Sequence, residues 1–144
     1  MTIHKVEEVR GMAREILRTL APQGRASVVT LSGDLGAGKT TLVQAMAQEL
    51  GISEHVVSPT FVIERVYALP RTSRGFERLI HIDAYRLEDE SELEHLGWKE
   101  MVADPHNLIL IEWPERVSSL IPDDAQHITF SYVDEMSRNI EYGN

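Results

Sequence analysis

At residues 33–40 the chain reads Gly33-Asp34-Leu35-Gly36-Ala37-Gly38-Lys39-Thr40, which matches the pattern G-x-x-x-x-G-K-[ST] at every fixed position. The six residues before it, Ser27-Val28-Val29-Thr30-Leu31-Ser32, are typical of a buried strand. The segment 41–50 after it is typical of a helix, and Gly51 ends that helix. A strand, a glycine loop and a helix in this order are the context in which the pattern marks a phosphate-binding loop. The stretch therefore predicts a site for a nucleoside triphosphate.

The residue types of this loop predict how it binds phosphate. Glycine at positions 36 and 38 lets the backbone wrap closely around an anion, because a Cβ there would block the required dihedral angles or the approach. The loop N–H groups and the helix N-terminus then point at the phosphates. We expect Lys39 to supply charge to the β- and γ-oxygens, Thr40 to offer its hydroxyl to Mg²⁺, and Thr41 to reach the α-phosphate. The residues predicted to contact nucleotide here are Asp34, Leu35, Gly36, Ala37, Gly38, Lys39, Thr40 and Thr41.

A phosphate-binding loop also needs an acidic partner for the magnesium ion, at the end of a nearby strand. Two apolar runs end in an acid: Leu79-Ile80-His81-Ile82-Asp83 and Leu108-Ile109-Leu110-Ile111-Glu112. We assign Glu112 to the water-mediated shell of Mg²⁺. Asp83 is then either a second carboxylate of that shell or the group that orients the attacking water, and the two roles are exchangeable. The predicted catalytic residues are Lys39, Asp83 and Glu112.

Three further positions are candidates for contacts in or near this site. Thr60 follows Ser58-Pro59 on the segment after the helix predicted at 41–50, and a threonine on this loop often senses the γ-phosphate. Trp113 directly follows Glu112, and a tryptophan there could stack on a base or on a partner protein. His81 alternates with Ile80 and Ile82 and so faces the other side of its strand, where a structural role is favoured slightly over a catalytic one.

The composition limits the class of protein. At 144 residues the chain predicts one domain, here residues 1–144. Its net charge of −9, from 23 acidic and 14 basic residues, argues against coating nucleic acid by charge alone. It has no cysteine, which excludes disulfides and thiolate metal sites, and no apolar run long enough to span a membrane. The expected location is the cytoplasm.

The remaining segments predict an α/β domain. We expect an amphipathic first helix with apolar residues from Val6 to Leu20, a strand over 60–69 and a second over 76–83 that form an antiparallel hairpin, short helices over 91–103, and a strand at 108–111. Residues 114–120 are typical of a helix that begins with proline, and 126–133 with 137–142 predict a closing hairpin. The predicted fold is a three-layer P-loop NTPase domain whose mixed sheet has a parallel centre and antiparallel flanks.

The motifs together resemble the TsaE (YjeE) family of small bacterial ATPases. They are the loop at 33–41, Ser58-Pro59-Thr60-Phe61, His81-Ile82-Asp83-Ala84-Tyr85-Arg86, Glu92-Leu93-Glu94-His95-Leu96-Gly97 and Ile111-Glu112-Trp113-Pro114. The resemblance covers nearly the whole chain. The motifs at 81–86 and 111–114 are more specific to the family than the loop, which many NTPases share. The resemblance implies that Asp83 and Glu112 correspond to the functional acids of the family. It also implies that Trp113 corresponds to the family's tryptophan and Thr60 to its switch threonine.

The resemblance also implies a biological role. TsaE-family proteins hydrolyse ATP in complex with the proteins TsaD and TsaB during synthesis of threonylcarbamoyladenosine (t6A) at position 37 of tRNA. The hydrolysis is thought to reset the complex between rounds and not to transfer the threonylcarbamoyl group. The expected cofactors are ATP or ADP and Mg²⁺, and the expected partners are TsaD, TsaB and, through them, tRNA, with no membrane.

Three rival functions are open from the sequence. A small-molecule kinase could use Arg71, Arg74 and Arg78 as lid arginines, although the chain shows no acceptor pocket. A signalling GTPase is disfavoured, because the guanine-reading motif N-K-x-D is absent. A non-enzymatic module could use its nucleotide state only to gate the affinity for a partner.

Overall fold

The structure, a computed structural model, describes residues 2–3, 6–33, 38–52, 64–70, 75–134 and 137–143. Seven strands within these ranges form one sheet. In order across the sheet they are β1 (Thr2–Ile3), β7 (Ser137–Gly143), β6 (Gln126–Asp134), β2 (Ser27–Ser32), β5 (Asn107–Glu112), β4 (Arg78–Asp83) and β3 (Glu64–Ala68). Strands β6, β2, β5 and β4 run parallel, whereas β1, β7 and β3 pair antiparallel with their neighbours. This arrangement confirms the predicted mixed sheet.

Helices cover both faces of the sheet and make it the middle of three layers. The helices are α1 (Val6–Arg18), α2 (Lys39–Glu49), α3 (Glu90–His95) and α4 (Trp98–Ala103). Apolar residues of α1 and α2 pack on one face with Leu108 and Leu110 of β5. Apolar residues of α3 and α4 pack on the opposite face with Ile109 and Ile111, since successive side chains of a strand point to opposite faces. All six residues of β5 are buried, which explains its continuous apolar run.

Most predicted elements are present with shifted ends. The hairpin of β3 and β4 is antiparallel as predicted, with β4 beginning at Arg78 instead of position 76. The closing hairpin of β6 and β7 is also confirmed. The start of the predicted first hairpin strand, at 60–63, and most of the turn at 70–75 lie outside the described residues.

Two local features add detail that the sequence does not give. The helix predicted over Pro114–Leu120 is present with proline in its first turn, but it is a 3₁₀ helix, and Val117 (φ −136°, ψ 34°) interrupts its backbone. The first described residues, Thr2–Ile3, form a short strand that pairs with Asn139 and Arg138 of β7. That pairing joins the two ends of the sequence, and a local pattern cannot reveal it.

A membrane crossing requires a helix of about 20 predominantly apolar residues. Within the described residues, no helix is long and apolar enough to span a bilayer.

Candidate functional site

The ends of β2, β4 and β5 and the beginning of α2 meet at one end of the sheet, which we call the carboxyl edge. Glu112, the last residue of β5, lies beside Leu31 of β2 on one side and Asp83 of β4 on the other. The helix α2 begins at Lys39, directly after the loop that leaves β2. In open α/β sheets ligands bind at this end of the strands. The topology therefore brings Lys39, Asp83 and Glu112 to the end of the sheet where a ligand is expected.

Two glycines at the ends of the loop have backbone conformations that other residues rarely adopt. Gly33 has φ 134°, and a Cβ on it would lie 2.5 Å from the carbonyl oxygen of Phe130. Gly38 has φ 99° and forms the N-cap of α2. Both positions therefore require glycine, for steric reasons at Gly33 and for backbone conformation at Gly38. The sequence pattern predicts a special backbone at Gly36 and Gly38, whereas the need for glycine at position 33 comes from its close approach to Phe130 in the fold.

Lys39 is the buried cation of the site. The residue is only 5% exposed, and its Nζ donates a hydrogen bond to the carbonyl oxygen of Gly33 at 2.8 Å. The same Nζ lies 4.0 Å from the centroid of the Trp113 ring, within the range of a cation–π interaction. Carbonyl and ring face together hold the ammonium group at the carboxyl edge, beside the loop.

Trp113 connects the strand end to the lysine through an unusual backbone conformation. It has φ 59° and ψ 52°, and it is the one non-glycine residue with positive φ among those described. Its N–H donates to the carbonyl oxygen of Leu31 at 3.2 Å, which ties the end of β5 to β2. The left-handed conformation costs about 1–2 kcal/mol for a residue with a Cβ. Strain of this kind clusters at functional sites, and here it turns the indole toward Lys39.

An aromatic and cationic row extends outward from this pair. The ring of Tyr85 lies 5.1 Å from that of Trp113, measured between centroids, and the planes are tilted by 50°. The guanidinium carbon of Arg116 lies 5.6 Å from the centroid of the Tyr85 ring. Tyr85 is 45% exposed, so the row runs from the buried lysine to the protein surface. The sequence indicated Trp113, but the participation of Tyr85 and Arg116 depends on the fold.

The two predicted carboxylates lie side by side. Asp83 and Glu112 occupy paired positions at the ends of neighbouring parallel strands. Glu112 is buried, and Asp83 is half-buried and accepts a hydrogen bond from the N–H of Tyr85 at 3.0 Å. Burial raises the pKa of Asp83 above its ordinary value, and the charge of Glu112 raises it further, whereas the Tyr85 N–H and the charge of Lys39 lower it. Two carboxylates in this environment favour a cation between or beside them.

The predicted residues divide into those that the structure describes and those that it does not. Lys39, Thr40 and Thr41 form the first turn of α2, where Thr40 is half-buried and Thr41 exposed. The predicted contacts of Asp34, Leu35, Gly36, Ala37 and Thr60 lie outside the described residues. The roles assigned to all these residues, and the division of roles between Asp83 and Glu112, stay predictions.

The oxygen donors at the carboxyl edge fit a magnesium ion better than a transition metal. Mg²⁺ prefers oxygen ligands, keeps several waters, and is usually held by one or two carboxylates together with substrate phosphates. Asp83, Glu112 and the hydroxyl of Thr40 supply donors of this type. Among the described residues, no group of three or more histidine, cysteine, aspartate or glutamate side chains could by itself hold a metal. This donor set suits an ion that arrives with a nucleotide.

Comparison with known proteins places this geometry in a family. Residues 3–140 match the family described as threonylcarbamoyl adenosine biosynthesis protein TsaE. The chain belongs to the TsaE family. That match includes every residue of the candidate site.

Individual TsaE-family relatives are similar over most of their lengths. The chain is 37% identical to the tRNA threonylcarbamoyladenosine biosynthesis protein TsaE of Haemophilus influenzae, over 88% of this chain and 75% of the relative. It is 36% identical to the protein of the same name from Bacillus subtilis, over 94% of this chain and 79% of that relative. A crystal structure of Bacillus subtilis YdiB superposes with a TM-score of 0.74 at 28% identity, over 99% of this chain and 82% of that one.

Proposed function

We propose that this protein binds ATP together with Mg²⁺ at the carboxyl edge and hydrolyses the ATP as a subunit of the system that makes t6A at position 37 of tRNA. The observation that carries the proposal is the convergence of Lys39, Asp83 and Glu112. Lys39 begins a helix at the end of the glycine loop, and the two acids end neighbouring strands. The charges of Lys39 and Glu112 are both close enough to shift the pKa of Asp83. The names of the relatives support the link to t6A biosynthesis.

The side chains act as follows in this proposal. Lys39 exchanges its contacts with Gly33 and Trp113 for the β- and γ-oxygens of the nucleotide, where its charge stabilises the transferring phosphoryl group. Glu112 would hold a water of the Mg²⁺ shell, and Asp83 would either supply a second carboxylate to that shell or orient the attacking water. When bound, Mg²⁺ neutralises charge on the phosphates. Positioning and electrostatic stabilisation together account for most of the catalysis expected of this reaction class.

Partner proteins complete the site in this proposal. The family resemblance supports TsaD and TsaB as these partners, tRNA as an indirect one, and the cytoplasm as the place of action. In this scheme hydrolysis resets the complex between rounds and does not transfer the threonylcarbamoyl group. The rival kinase is disfavoured by Arg78, because its guanidinium is held by Asn107 and Asp104 at the start of β4, away from the carboxyl edge.

The test is ATP hydrolysis by the purified chain with and without a TsaB–TsaD pair, in Mg²⁺ and in EDTA. We expect slow turnover alone and strong Mg²⁺-dependent stimulation by the pair. Turnover of about 10 per second by the isolated chain, a typical enzyme rate, would contradict the need for a partner. Equal activity with and without the pair would leave a P-loop NTPase and revive the kinase. Absence of single-turnover hydrolysis with the pair present would favour the nucleotide-gated binding module.

A further inference from the structure

His81 and Glu112 form a buried polar pair next to the proposed metal position. The Nε2 atom of His81 lies 2.6 Å from the Oε2 atom of Glu112, and the two side chains are 0% and 6% exposed. At that distance one hydrogen is shared between them, since the separation is short for a hydrogen bond that involves nitrogen. Little solvent reaches the pair, so the contact is a fixed part of the interior.

The register of two parallel strands produces this contact. His81 lies opposite Leu110, and Asp83 lies opposite Glu112, so Glu112 is the diagonal neighbour of His81 on the same face of the sheet. A shift of one residue between β4 and β5 would move one partner to the other face. Because β5 is buried on both sides, that register is strongly specified. The contact therefore follows from the packing of the whole sheet.

The surroundings of the ring indicate which nitrogen carries the hydrogen. The Nδ1 atom of His81 is buried and has no hydrogen-bond partner among the residues that the structure describes. A hydrogen on Nδ1 would lack an acceptor there, whereas a hydrogen on Nε2 has the carboxylate of Glu112. This assignment follows from the hydrogen-bond network, as such assignments must. Nε2–H therefore donates to Oε2, and Oε1 is the oxygen that remains for a water or a metal.

A purely structural explanation of His81 is less satisfactory. Its neighbours on the same face of the sheet include Leu79 and Leu110, which belong to the apolar core. An apolar side chain would fill that space without burying a ring nitrogen that has no described partner, which costs about 1–3 kcal/mol. A residue that lowers stability in this way is typical of a functional constraint.

We infer that His81 is a positioning residue for Glu112: its Nε2–H fixes the orientation in which the carboxylate meets the water shell of Mg²⁺. The inference rests on the proposed function and deepens it. Histidine and carboxylate pairs play this role around many metal sites, where loss of the outer partner costs about 10–100-fold in metal affinity or activity. His81 touches neither nucleotide nor metal in this scheme and acts through Glu112 alone.

Three substitutions separate this role from simple core packing. In His81→Gln the amide nitrogen lies the same number of bonds from Cα as Nε2 and can still donate to Glu112. In His81→Asn the amide is one bond shorter and matches Nδ1 instead, and His81→Leu offers no donor. The control is His127→Leu, because His127 also lies on a sheet strand and contacts a polar group, the Thr30 hydroxyl at 2.6 Å, but no carboxylate.

The main readout is binding of a fluorescent ATP analogue as a function of Mg²⁺, beside binding in EDTA and the melting temperature. We expect the half-saturating Mg²⁺ concentration to rise about 10–100-fold in His81→Asn and His81→Leu. We expect His81→Gln and His127→Leu to stay near the wild type, and affinity in EDTA to be unchanged in all four. An unchanged Mg²⁺ dependence in His81→Leu would overturn the positioning role while leaving the proposed function intact. No Mg²⁺-dependent binding by the wild type would overturn both.

A second readout needs neither nucleotide nor a folded variant. Nitrogen-15 NMR of the imidazole in the nucleotide-free wild type distinguishes protonated from unprotonated ring nitrogens. A protonated Nε2 supports the inference. An unprotonated Nε2 would mean that Glu112 carries the shared hydrogen, and it would overturn the inference, because the carboxyl group would then be the donor.

Discussion

The two ends of the strand pair β4 and β5 differ in how their polar side chains are arranged. Both strands begin at paired positions, Arg78 and Asn107, and both end at paired positions, Asp83 and Glu112. At the beginning, the Nε of Arg78 donates to Oδ1 of Asn107 at 2.7 Å, and Nδ2 of Asn107 donates to the carbonyl oxygen of Met101 at 3.0 Å. At the end, two carboxylates lie next to each other.

The electrostatics follow the same division. At the beginning of the strands, the backbone N–H of His106 and the charge of Arg78 lower the pKa of Asp104. At the end, burial and the charge of Glu112 raise the pKa of Asp83. Charges at the beginning of the strands are thus paired with one another, whereas at the other end a neighbouring carboxylate and burial make it costly to ionise Asp83. Proteins commonly concentrate such unfavourable charge at functional sites, and each edge can be tested by its own substitutions.

The largest expected effect is at the carboxyl edge. We expect Lys39→Ala to lower kcat/KM for ATP hydrolysis about 100- to 1,000-fold, as for the loss of one group that stabilises transition-state charge. The melting temperature should change little in comparison, because the substitution removes a hydrogen bond to Gly33 and a cation–π interaction with Trp113 but no part of the apolar core. Steady-state kinetics and thermal unfolding of the same preparation measure both quantities.

The matched control for this variant is Lys99→Ala, which removes the same side chain from an exposed position on α4. It should retain wild-type turnover. Wild-type hydrolysis by Lys39→Ala would refute the assignment of the phosphate-binding loop and erase the contrast between the two edges.

The opposite edge should respond in stability and not in turnover. Asn107 is 4% exposed, and Asn107→Ala leaves Arg78 and the carbonyl oxygen of Met101 without this partner. We expect the free energy of unfolding to fall by about 1–3 kcal/mol, as for buried polar groups that lose their partner. Chemical denaturation measures this change. The control is Gln23→Ala, which removes an amide side chain from an exposed position. A large loss of kcat in Asn107→Ala, measured at a low temperature at which this variant is folded, would show that the beginning of the strands also affects catalysis.

Sequence alone anticipated the parts of this comparison that depend on local pattern. The strand and helix on either side of the loop, both hairpins and the acids at the strand ends 83 and 112 follow from glycine placement, apolar runs and turns within a short segment. Residues 34–37 of the loop itself lie outside the described residues. The parallel pairing of β6 beside β2 and the strand at Thr2–Ile3 require residues far apart in the chain. Such pairings arise from packing of the whole domain.

The side-chain contacts of the site were harder to predict from sequence, because they too depend on residues far apart in the chain. The contact of His81 with Glu112 depends on the register of two strands, and the alternation around His81 showed only which face it occupies. The left-handed backbone of Trp113 could not be expected, since bulky residues rarely have positive φ. A glycine pattern identifies a loop, but the side chains that surround it are brought there by the fold.

A smaller effect with the opposite sign is expected at Asp83. Because its pKa in the folded protein is raised above the ordinary value of 3.8, the folded state binds the proton more tightly. The free energy of unfolding therefore falls as the pH rises from 3.8 through the folded pKa, and it stays lower at pH 7. Asparagine carries no charge and can still accept the Tyr85 N–H. We expect Asp83→Asn to melt a few degrees higher at pH 7 while losing most of its turnover.

The pH dependence is the sharper part of this prediction. The gain in melting temperature should shrink as the pH is lowered toward 3.8, where the wild-type carboxyl becomes neutral in the folded state and increasingly so in the unfolded state. The exposed variant Asp123→Asn should show no comparable gain at pH 7. A lower melting temperature for Asp83→Asn at pH 7 would show that the favourable interactions of the carboxylate with the Tyr85 N–H, His81 and Lys39 outweigh burial and the charge of Glu112.

The smallest effect is expected at an exposed ion pair at the beginning of β2. Arg25 and Asp124 approach within 2.9 Å, but their side chains are 46% and 59% exposed. Exposed pairs of this kind contribute about 0.2–1 kcal/mol, and salt screens them. We expect Arg25→Ala to change the free energy of unfolding by no more than that, with unchanged turnover and a difference that vanishes in about 1 M salt. A loss as large as that of Asn107→Ala, persisting in salt, would show that surface charge, and not buried hydrogen bonding, stabilises this edge of the sheet.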